Sequence, residues 1–257
     1  MMMLKIMLDN GMVDDKTIIA FANTGKESEA TLAFIHACEM HWGIKIIWLE
    51  FCIENPGFKV VDFVSASRKG EPFSDYLSTT TMLPNPVKRL CTINLKIKLI
   101  RRYVRSLKHR GDIPTFLGIR FDEPLRVAKK KASNAAGKEP EYYYMPLHDM
   151  RITRKERDDF WRQQPFDLGI SSYHDNCDLC FMKGKWQLIW QIRENPAAAN
   201  WWIEMEQRCK PRSKRKFRDA RFNKEFSYAE LLHVATTQTY IPLPVEPLQS
   251  TSCECGE

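Results

Sequence analysis

The sequence lacks any apolar stretch long enough to cross a membrane. Across its 257 residues no run approaches the ~20 consecutive apolar residues of a transmembrane helix. The N-terminal segment, residues 1–12, is apolar, but Asp9 interrupts it and no cleavage site follows. It therefore does not resemble a signal peptide. These absences predict a cytoplasmic protein that has no membrane partner.

A Walker A nucleotide loop and an internal repeat are also missing. The Walker A pattern requires Gly five residues before Gly25 and Ser or Thr after Lys26, but Ala20 and Glu27 stand at those positions. What is present is enough apolar content, 44% of the residues, to build a core. The length suits one large α/β domain, or one domain with an appended subdomain.

A strand, a polar turn and a helix follow one another between residues 17 and 41. Residues 17–22 are apolar and β-branched, and from Glu27 onward apolar residues recur at helical spacing. Such a turn directs unpaired backbone N–H groups and the positive end of the helix dipole toward one point, where phosphate is the usual ligand. We therefore predict a phosphate loop with an exposed lysine, made of Asn23, Thr24, Gly25, Lys26, Glu27 and Ser28.

A capping box is the alternative interpretation of this turn. Thr24 would cap the helix and Glu27 would bond back to it, which needs no ligand. That interpretation leaves Gly25 and Lys26 unexplained, and we favour the phosphate loop.

The rest of the chain alternates between strand and helix patterns. An apolar run at residues 44–51 follows the first helix, and strand–helix–strand order predicts a parallel sheet. Residues 58–64, 115–118 and 142–147 are further extended segments, and residues 128–140 are predicted to be a mobile excursion. Helices are expected at residues 73–77, 94–108, 153–162, 186–194, 197–208 and 227–236.

Positive charge is concentrated in two segments. The net charge is +7, from 39 basic and 32 acidic residues. Residues 96–110 and 208–221 hold much of the excess. Such runs are usually solvated helix faces, but they also fit a phosphate-bearing partner, from a nucleotide to a nucleic acid.

Four segments occur in an order typical of one enzyme family. The loop at residues 23–28 corresponds to that family's Ser-Gly-Gly-Lys-Asp-Ser and shares Gly25, Lys26 and Ser28 with it. Residues 89–96 match Arg-x-Cys-Thr-x-x-x-Lys. Residues 118–126 match Gly-x-Arg-x-x-Glu-x-x-Arg, and residues 144–147 match a strand followed by a Pro-Leu turn. Over about residues 17–161 the chain thus resembles the phosphoadenylyl sulfate (PAPS) reductase family of the PP-loop superfamily, and its prophage-type members most.

The resemblance implies a fold and an organisation. The fold is α/β, a parallel twisted sheet with helices on both faces like that of the adenine nucleotide α-hydrolases. A mostly helical subdomain rich in Cys and Trp follows it. The corresponding division is residues 1–165 for nucleotide binding, 166–240 for the helical subdomain and 241–257 for a flexible tail.

The resemblance also implies an activity. The chain would be a PAPS reductase-like oxidoreductase that binds an adenylyl nucleotide, PAPS or ATP, with thioredoxin or glutaredoxin as electron donor. Arg89, Arg120 and Arg126 would pair with phosphate or sulfate oxygens, and Lys26 would be a catalytic residue that holds the nucleotide's phosphates together with the loop amides. Cys255, in a C-terminal Glu-Cys-Gly, would attack the sulfate sulfur. An accessory or disordered tail is the alternative for Cys255.

The cysteines suggest metal or redox chemistry. A predicted cytoplasmic chain with eight cysteines is not expected to be a disulfide scaffold. Cys91, Cys177, Cys180 and Cys209 would supply four thiolates to one metal site. We prefer an iron–sulfur cluster to zinc, since Cys91 belongs to the nucleotide-side motif. A redox pair or plain packing remains the alternative for Cys177 and Cys180.

Two other functions stay open. One is an ATP-dependent sulfurtransferase acting on nucleic acid, which the basic runs favour. Trp186, Trp190, Trp201 and Trp202 would stack bases there, although their helical spacing is more typical of a core. The other is a nucleotide-binding module with structural zinc.

Overall fold

The computed structural model describes residues 1–167, 169, 174, 176–209 and 220–240. The tail, in which Cys255 is predicted to be catalytic, and most of the second basic segment lie outside these residues. The described part of the chain is a mixed α/β structure.

Ten α-helices and five strands occur within the described residues. The helices are Met2–Asp9 (α1), Glu29–Trp42 (α2), Glu71–Ser78 (α3), Lys98–Ser106 (α4), Pro124–Ala136 (α5), Pro146–Asp149 (α6), Arg154–Arg162 (α7), Lys185–Glu194 (α8), Ala199–Arg208 (α9) and Tyr228–Thr237 (α10). The strands are Ala20–Asn23 (β1), Ile47–Glu50 (β2), Lys59–Val61 (β3), Ile113–Phe116 (β4) and Glu141–Tyr144 (β5). Thr92–Ile97 is a π-helix leading into α4, and Pro196–Ala198 is a 3₁₀ turn before α9. None of the helices in these ranges combines the length and the apolar character that a membrane span requires.

The strands form two small sheets. In the first, β1 and β2 are parallel, with Ala20 opposite Ile47, and β3 is antiparallel to β2, with Val61 opposite Trp48. In the second, β4 and β5 are parallel. The predicted parallel pairing across the first helix is confirmed, because β1, α2 and β2 form a βαβ unit. The described strands are not hydrogen-bonded into one continuous sheet.

Residues 128–140 are mostly helical. The prediction that they form a mobile excursion was therefore wrong. It is the greater part of α5, which ends at Gly137 in a left-handed conformation. Alanine and lysine are good helix formers. Val127 is buried, and the Asn134 side chain exchanges two hydrogen bonds with the backbone of Tyr143 in β5. These contacts fix the segment against the second sheet.

One hydrophobic core draws on both halves of the chain. Leu49 of β2 and Leu95 of the π-helix are fully buried in it, together with Leu188 of α8, Trp202 of α9 and Tyr228 of α10. Each such side chain contributes roughly 1.5–3 kcal/mol on burial. The helical C-terminal half therefore packs on the N-terminal half through shared apolar contacts. The proposed domain boundary near residue 165 stays a prediction.

Candidate functional site

The loop between β1 and α2 is built as a strand–turn–helix, as the sequence predicts. The helix N-cap is Ser28, whose hydroxyl accepts a hydrogen bond from the Thr31 N–H at 3.2 Å. The alternative capping box, with Thr24 as the cap and Glu27 as its partner, is therefore not the one formed. Thr24 and Glu27 lie in the turn before the helix, and both are buried.

Gly25 allows this turn to pack closely on the start of α3. Its φ of +75° lies in the left-handed region. A Cβ there would lie 2.9 Å from Pro72 Cδ and 3.0 Å from Gly70 Cα. Only glycine fits both the conformation and the space.

A fully buried carboxylate, Glu50, anchors the start of the loop. Its Oε1 accepts from the Asn23 side-chain amide at 2.7 Å and from the Ser67 N–H at 2.6 Å. Its Oε2 accepts from the Ser67 hydroxyl at 2.7 Å and pairs with Lys59 Nζ at 2.9 Å, which raises the pKa of Lys59. Asn23 Oδ1 in turn accepts from the Gly25 N–H at 2.9 Å. Glu50 is absent from the residues predicted from sequence, although a charged residue ending an apolar run was a signal.

Lys26 is buried, contrary to the expectation of an exposed lysine. Only 7% of the residue is accessible, and its Nζ donates to Asp178 Oδ2 at 2.7 Å. The ammonium also lies 5.1 Å and 5.8 Å from the ring centres of Trp201 and Trp202. The Asp178 N–H donates to the Lys26 carbonyl at 2.7 Å. The C-x-x-C segment therefore lies directly on the loop.

A cysteine thiol is part of the same contact. Cys177 Sγ donates to Glu27 Oε2 at 3.0 Å, and Lys96 Nζ pairs with Glu27 Oε1 at 3.0 Å. Ser28 N–H donates to the Asn176 carbonyl at 2.8 Å, which completes a short antiparallel bridge. Glu27 therefore joins three segments: the loop itself, residues 89–96 through Lys96, and the C-x-x-C segment through Cys177.

The loop amides already have acceptors within the chain. The N–H groups of Gly25, Lys26 and Ser28 bond to Asn23 Oδ1, Thr24 Oγ1 and the Asn176 carbonyl. The positive charge of Lys26 is balanced by Asp178. An entering phosphate must therefore compete with groups of the protein itself.

Two of the three predicted phosphate-binding arginines are paired with acidic residues of their own segment. Arg120 Nε pairs with Asp122 Oδ1 at 2.9 Å, and Arg126 Nη1 pairs with Glu123 Oε1 at 2.5 Å. Arg89 lies half-buried just before the π-helix. The Phe121 ring of the third family-like segment stacks on His148, which directly follows the fourth segment, with the ring centres 5.6 Å apart.

The four predicted metal ligands, Cys91, Cys177, Cys180 and Cys209, all lie among the described residues. Across the described ranges, no three His, Cys, Asp or Glu side chains are grouped so that they could hold a metal ion. Cys177 bonds to Glu27, Cys180 is buried, and burial raises the pKa of Cys209. A cluster or zinc ion held by Cys91, Cys177, Cys180 and Cys209 stays a prediction.

A cavity of about 300 Å³ lies beside the loop, between the two sheets. β1 lines one side, β4 and β5 line another, and the π-helix and α4 close it. Its walls are mainly apolar, with Ile100 and Leu117 among them. Lys96, which lines the cavity, pairs with Glu27 of the loop. At the edge of the cavity, Arg101 forms a bidentate ion pair with Glu141.

Comparison with known proteins finds one informative similarity. The chain is 30% identical over 175 residues to the "Uncharacterized nin region protein ORF290" of Escherichia phage lambda. The match covers 63% of this chain and 55% of the relative, so the matched region is only about half of that protein. No protein-family profile matches the chain. No solved structure matches it.

Proposed function

We propose that the protein is a PAPS reductase-like enzyme that binds an adenylyl nucleotide and uses cysteine for sulfur chemistry. One observation carries the proposal: Lys26 lies in a strand–turn–helix loop, and its ammonium is held 2.7 Å from the Asp178 carboxylate, an anion in the place that a phosphate oxygen could take. A lysine at the N-terminal end of a helix suits binding of a phosphate-linked group.

The proposal includes a finer account of the fold. The two sheets would belong to one twisted parallel sheet with helices on both faces, interrupted between β1 and β4 by the cavity. The cavity volume, about 300 Å³, is at the lower end of ordinary ligand pockets. Its apolar walls suit a nucleobase, which would place the nucleotide phosphates toward the ammonium groups of Lys96 and Lys26.

Phosphate binding would rearrange the loop contacts. A phosphate oxygen would replace the Asp178 carboxylate on Lys26, because both are anions that accept from the same ammonium. The loop from Asn23 to Ser28 would surround the phosphates. Arg89, Arg120 and Arg126 are the proposed partners of the remaining phosphate or sulfate oxygens.

The reductase step requires two thiols. The Cys255 thiolate would attack the sulfate sulfur of PAPS, and the bond from that sulfur to the phosphate oxygen would break, releasing the nucleotide. A thiol of thioredoxin or glutaredoxin would then attack the cysteine sulfur. A disulfide forms, sulfite leaves with the bonding electron pair, and the thiols supply the two electrons.

Mass spectrometry after incubation with PAPS tests this step. The reductase proposal expects a sulfonate adduct on Cys255 and sulfite release with thioredoxin or glutaredoxin. Removal of residues 252–257 should abolish sulfite release while nucleotide binding persists. Cys38→Ser is the control variant, since Cys38 is fully buried in α2. If the wild-type protein forms no cysteine adduct and releases no sulfite, the reductase step is wrong.

The position of Cys177 favours a second candidate, an ATP-dependent sulfurtransferase acting on nucleic acid. There the thiol beside the loop, rather than the tail, would handle sulfur. Such an enzyme should keep its activity without residues 252–257 and lose it in Cys177→Ser. The pair of variants therefore separates the two candidates.

A further inference from the structure

Four flat side chains form an exposed surface on the second sheet. In the parallel pairing of β4 and β5, Pro114 lies opposite Tyr142 and Phe116 lies opposite Tyr144. All four are exposed, and the three aromatic residues are 37% to 46% accessible. We call this surface the aromatic face.

The rings of the aromatic face are arranged as a platform. Phe116 and Tyr144 are stacked, with ring centres 5.2 Å apart and 23° between the planes. Tyr142 adjoins Tyr144, with ring centres 5.1 Å apart and the planes tilted by 56°. Thr115 and Tyr143, on the opposite face of the same strands, line the cavity, and Phe116 of the aromatic face also reaches it. Exposed aromatic residues on one side of a sheet are a known base-stacking surface.

Positive charge lies at one end of this platform. Because β4 and β5 are parallel and in register, the segments that precede them lie at the same end of the sheet. Lys108 and Arg110 precede β4, and Lys138 precedes β5; all three are exposed. Two acidic residues, Asp112 and Glu139, lie in the same segments, and Glu139 is paired with Arg101. A strand of bases on the rings would bring its phosphates near these cations, which a neutral peptide would not require.

We propose that the aromatic face binds single-stranded nucleic acid, with bases stacked on Phe116, Tyr142 and Tyr144 and phosphates held by Lys108, Arg110 and Lys138. Stacking accepts any base, and the phosphate contacts carry no sequence information, so binding should be sequence-tolerant and salt-dependent. The surface is separate from the phosphate loop, and binding there does not require that the loop hold a nucleotide.

Fluorescence anisotropy with a labelled oligothymidylate of about 12 nucleotides tests the proposal, since comparable surfaces bind strands of that length. The double variant Tyr142→Ala, Tyr144→Ala should bind at least tenfold more weakly than wild type. The variant Tyr144→Trp should retain binding. Tyr240→Ala, which removes a tyrosine that is 82% exposed elsewhere, is the matched control and should bind like wild type.

Charge variants give an independent readout. Replacing Lys108 and Arg110 with Gln should weaken binding and reduce the slope of log affinity against log salt by roughly 1.4, or 0.7 per phosphate contact on a single strand. Ultraviolet crosslinking of wild-type protein should attach thymidylate to Phe116, Tyr142 or Tyr144. This measurement does not depend on whether a variant folds.

Four results would overturn the proposal. They are absence of binding by wild type, crosslinks confined to other residues, an alanine double variant that folds and binds like wild type, and a wild-type dimer that the double variant converts to monomer. The last result would show that the aromatic face joins two copies of the chain.

Discussion

The ammonium of Lys26 donates a hydrogen bond to the carboxylate of Asp178, with a nitrogen–oxygen distance of 2.7 Å across 152 residues of sequence. The side chains are 8% and 29% accessible, so the pair is largely shielded from solvent. Asp178 lies between Cys177 and Cys180. The contact therefore links the proposed phosphate loop to the C-x-x-C segment, and the carboxylate lies where a phosphate oxygen would bind Lys26.

Neutralising this carboxylate should strengthen nucleotide binding. In Asp178→Asn the competing negative charge is gone, and we expect affinity for ATP or PAPS to rise about tenfold, equivalent to about 1.4 kcal/mol. Loss of the ion pair should lower the free energy of unfolding by ~1–3 kcal/mol when nucleotide is absent, because the asparagine oxygen can still accept from Lys26 and position 178 is 29% accessible. Calorimetric titration and urea unfolding measure the two effects.

Asp159→Asn is the control for this prediction, because Asp159 pairs with the exposed Lys155 on α7. It should change neither quantity measurably. Weaker nucleotide binding by Asp178→Asn would mean that Asp178 assists the nucleotide rather than competing with it.

The loop should require glycine at position 25 for two reasons: its left-handed backbone conformation and its close approach to Pro72. Gly25→Ala puts a Cβ in the left-handed region and 2.9 Å from Pro72 Cδ. Gly43, which ends α2 with φ +61°, provides a matched control for the first reason alone, because a Cβ added there would meet no atom within 4 Å. We expect Gly43→Ala to cost roughly 1 kcal/mol.

Gly25→Ala should cost more than Gly43→Ala in urea unfolding, and it alone should weaken nucleotide binding. Equal destabilisation with unchanged binding would show that the close approach of the loop to Gly70 and Pro72 does not matter for the site.

Cys38 should be chemically inert in the native protein. It is fully buried in α2, and burial raises the pKa of its thiol to about 12. At pH 8 about one thiol in 10,000 would then be ionised, and the thiolate is the reactive form. Iodoacetamide labelling followed by peptide mapping should modify the half-buried Cys52 well before Cys38, and both in urea. Rapid labelling of Cys38 in native protein would contradict its position in the core.

Glu206 of α9 should make stability depend on pH. Its carboxylate accepts from the Tyr228 N–H at 2.9 Å and the Phe222 N–H at 3.2 Å, and desolvation raises its pKa. In the window from its ordinary value of about 4.5 up to the higher folded value, the folded state binds more protons, so stability falls as pH rises.

The variant Glu206→Gln removes this titration. Relative to wild type, its free energy of unfolding should therefore increase as pH rises through the same window and then level off. Glu204→Gln, at an exposed position on the same helix, should follow the wild-type profile. A Glu206→Gln profile parallel to wild type would show that this carboxyl does not titrate differently in the folded state.

Local patterns in the sequence predicted much of the fold. Apolar runs located β1 and β2, and their strand–helix–strand order gave the parallel pairing that the structure has. Helical spacing located α8, α9 and α10 to within one or two residues. The sequence does not predict α1, because residues 1–12 have the apolar character of a targeting segment, or α5, because its small residues and lysines are also typical of a loop.

The partners of the loop could not be predicted from local patterns. Asn23 bonds to Glu50, 27 residues away, and Lys26 bonds to Asp178, 152 residues away. Such pairs depend on how distant segments pack. The loop itself was identified because its strand, turn and helix signals are adjacent in sequence, whereas the burial of Lys26 results from Trp201, Trp202 and Asp178 in the second half of the chain.

Calorimetric titration with PAPS and ATP of wild type, Lys26→Met, and the double variant Lys26→Met, Asp178→Asn tests the central claim most directly. The double variant keeps the buried stem and removes both charges, so it should recover most of the stability that Lys26→Met alone loses. We predict that wild type binds nucleotide and that neither variant does, although the double variant is folded. Binding of nucleotide by the folded double variant with wild-type affinity would contradict the claim that Lys26 holds the phosphates.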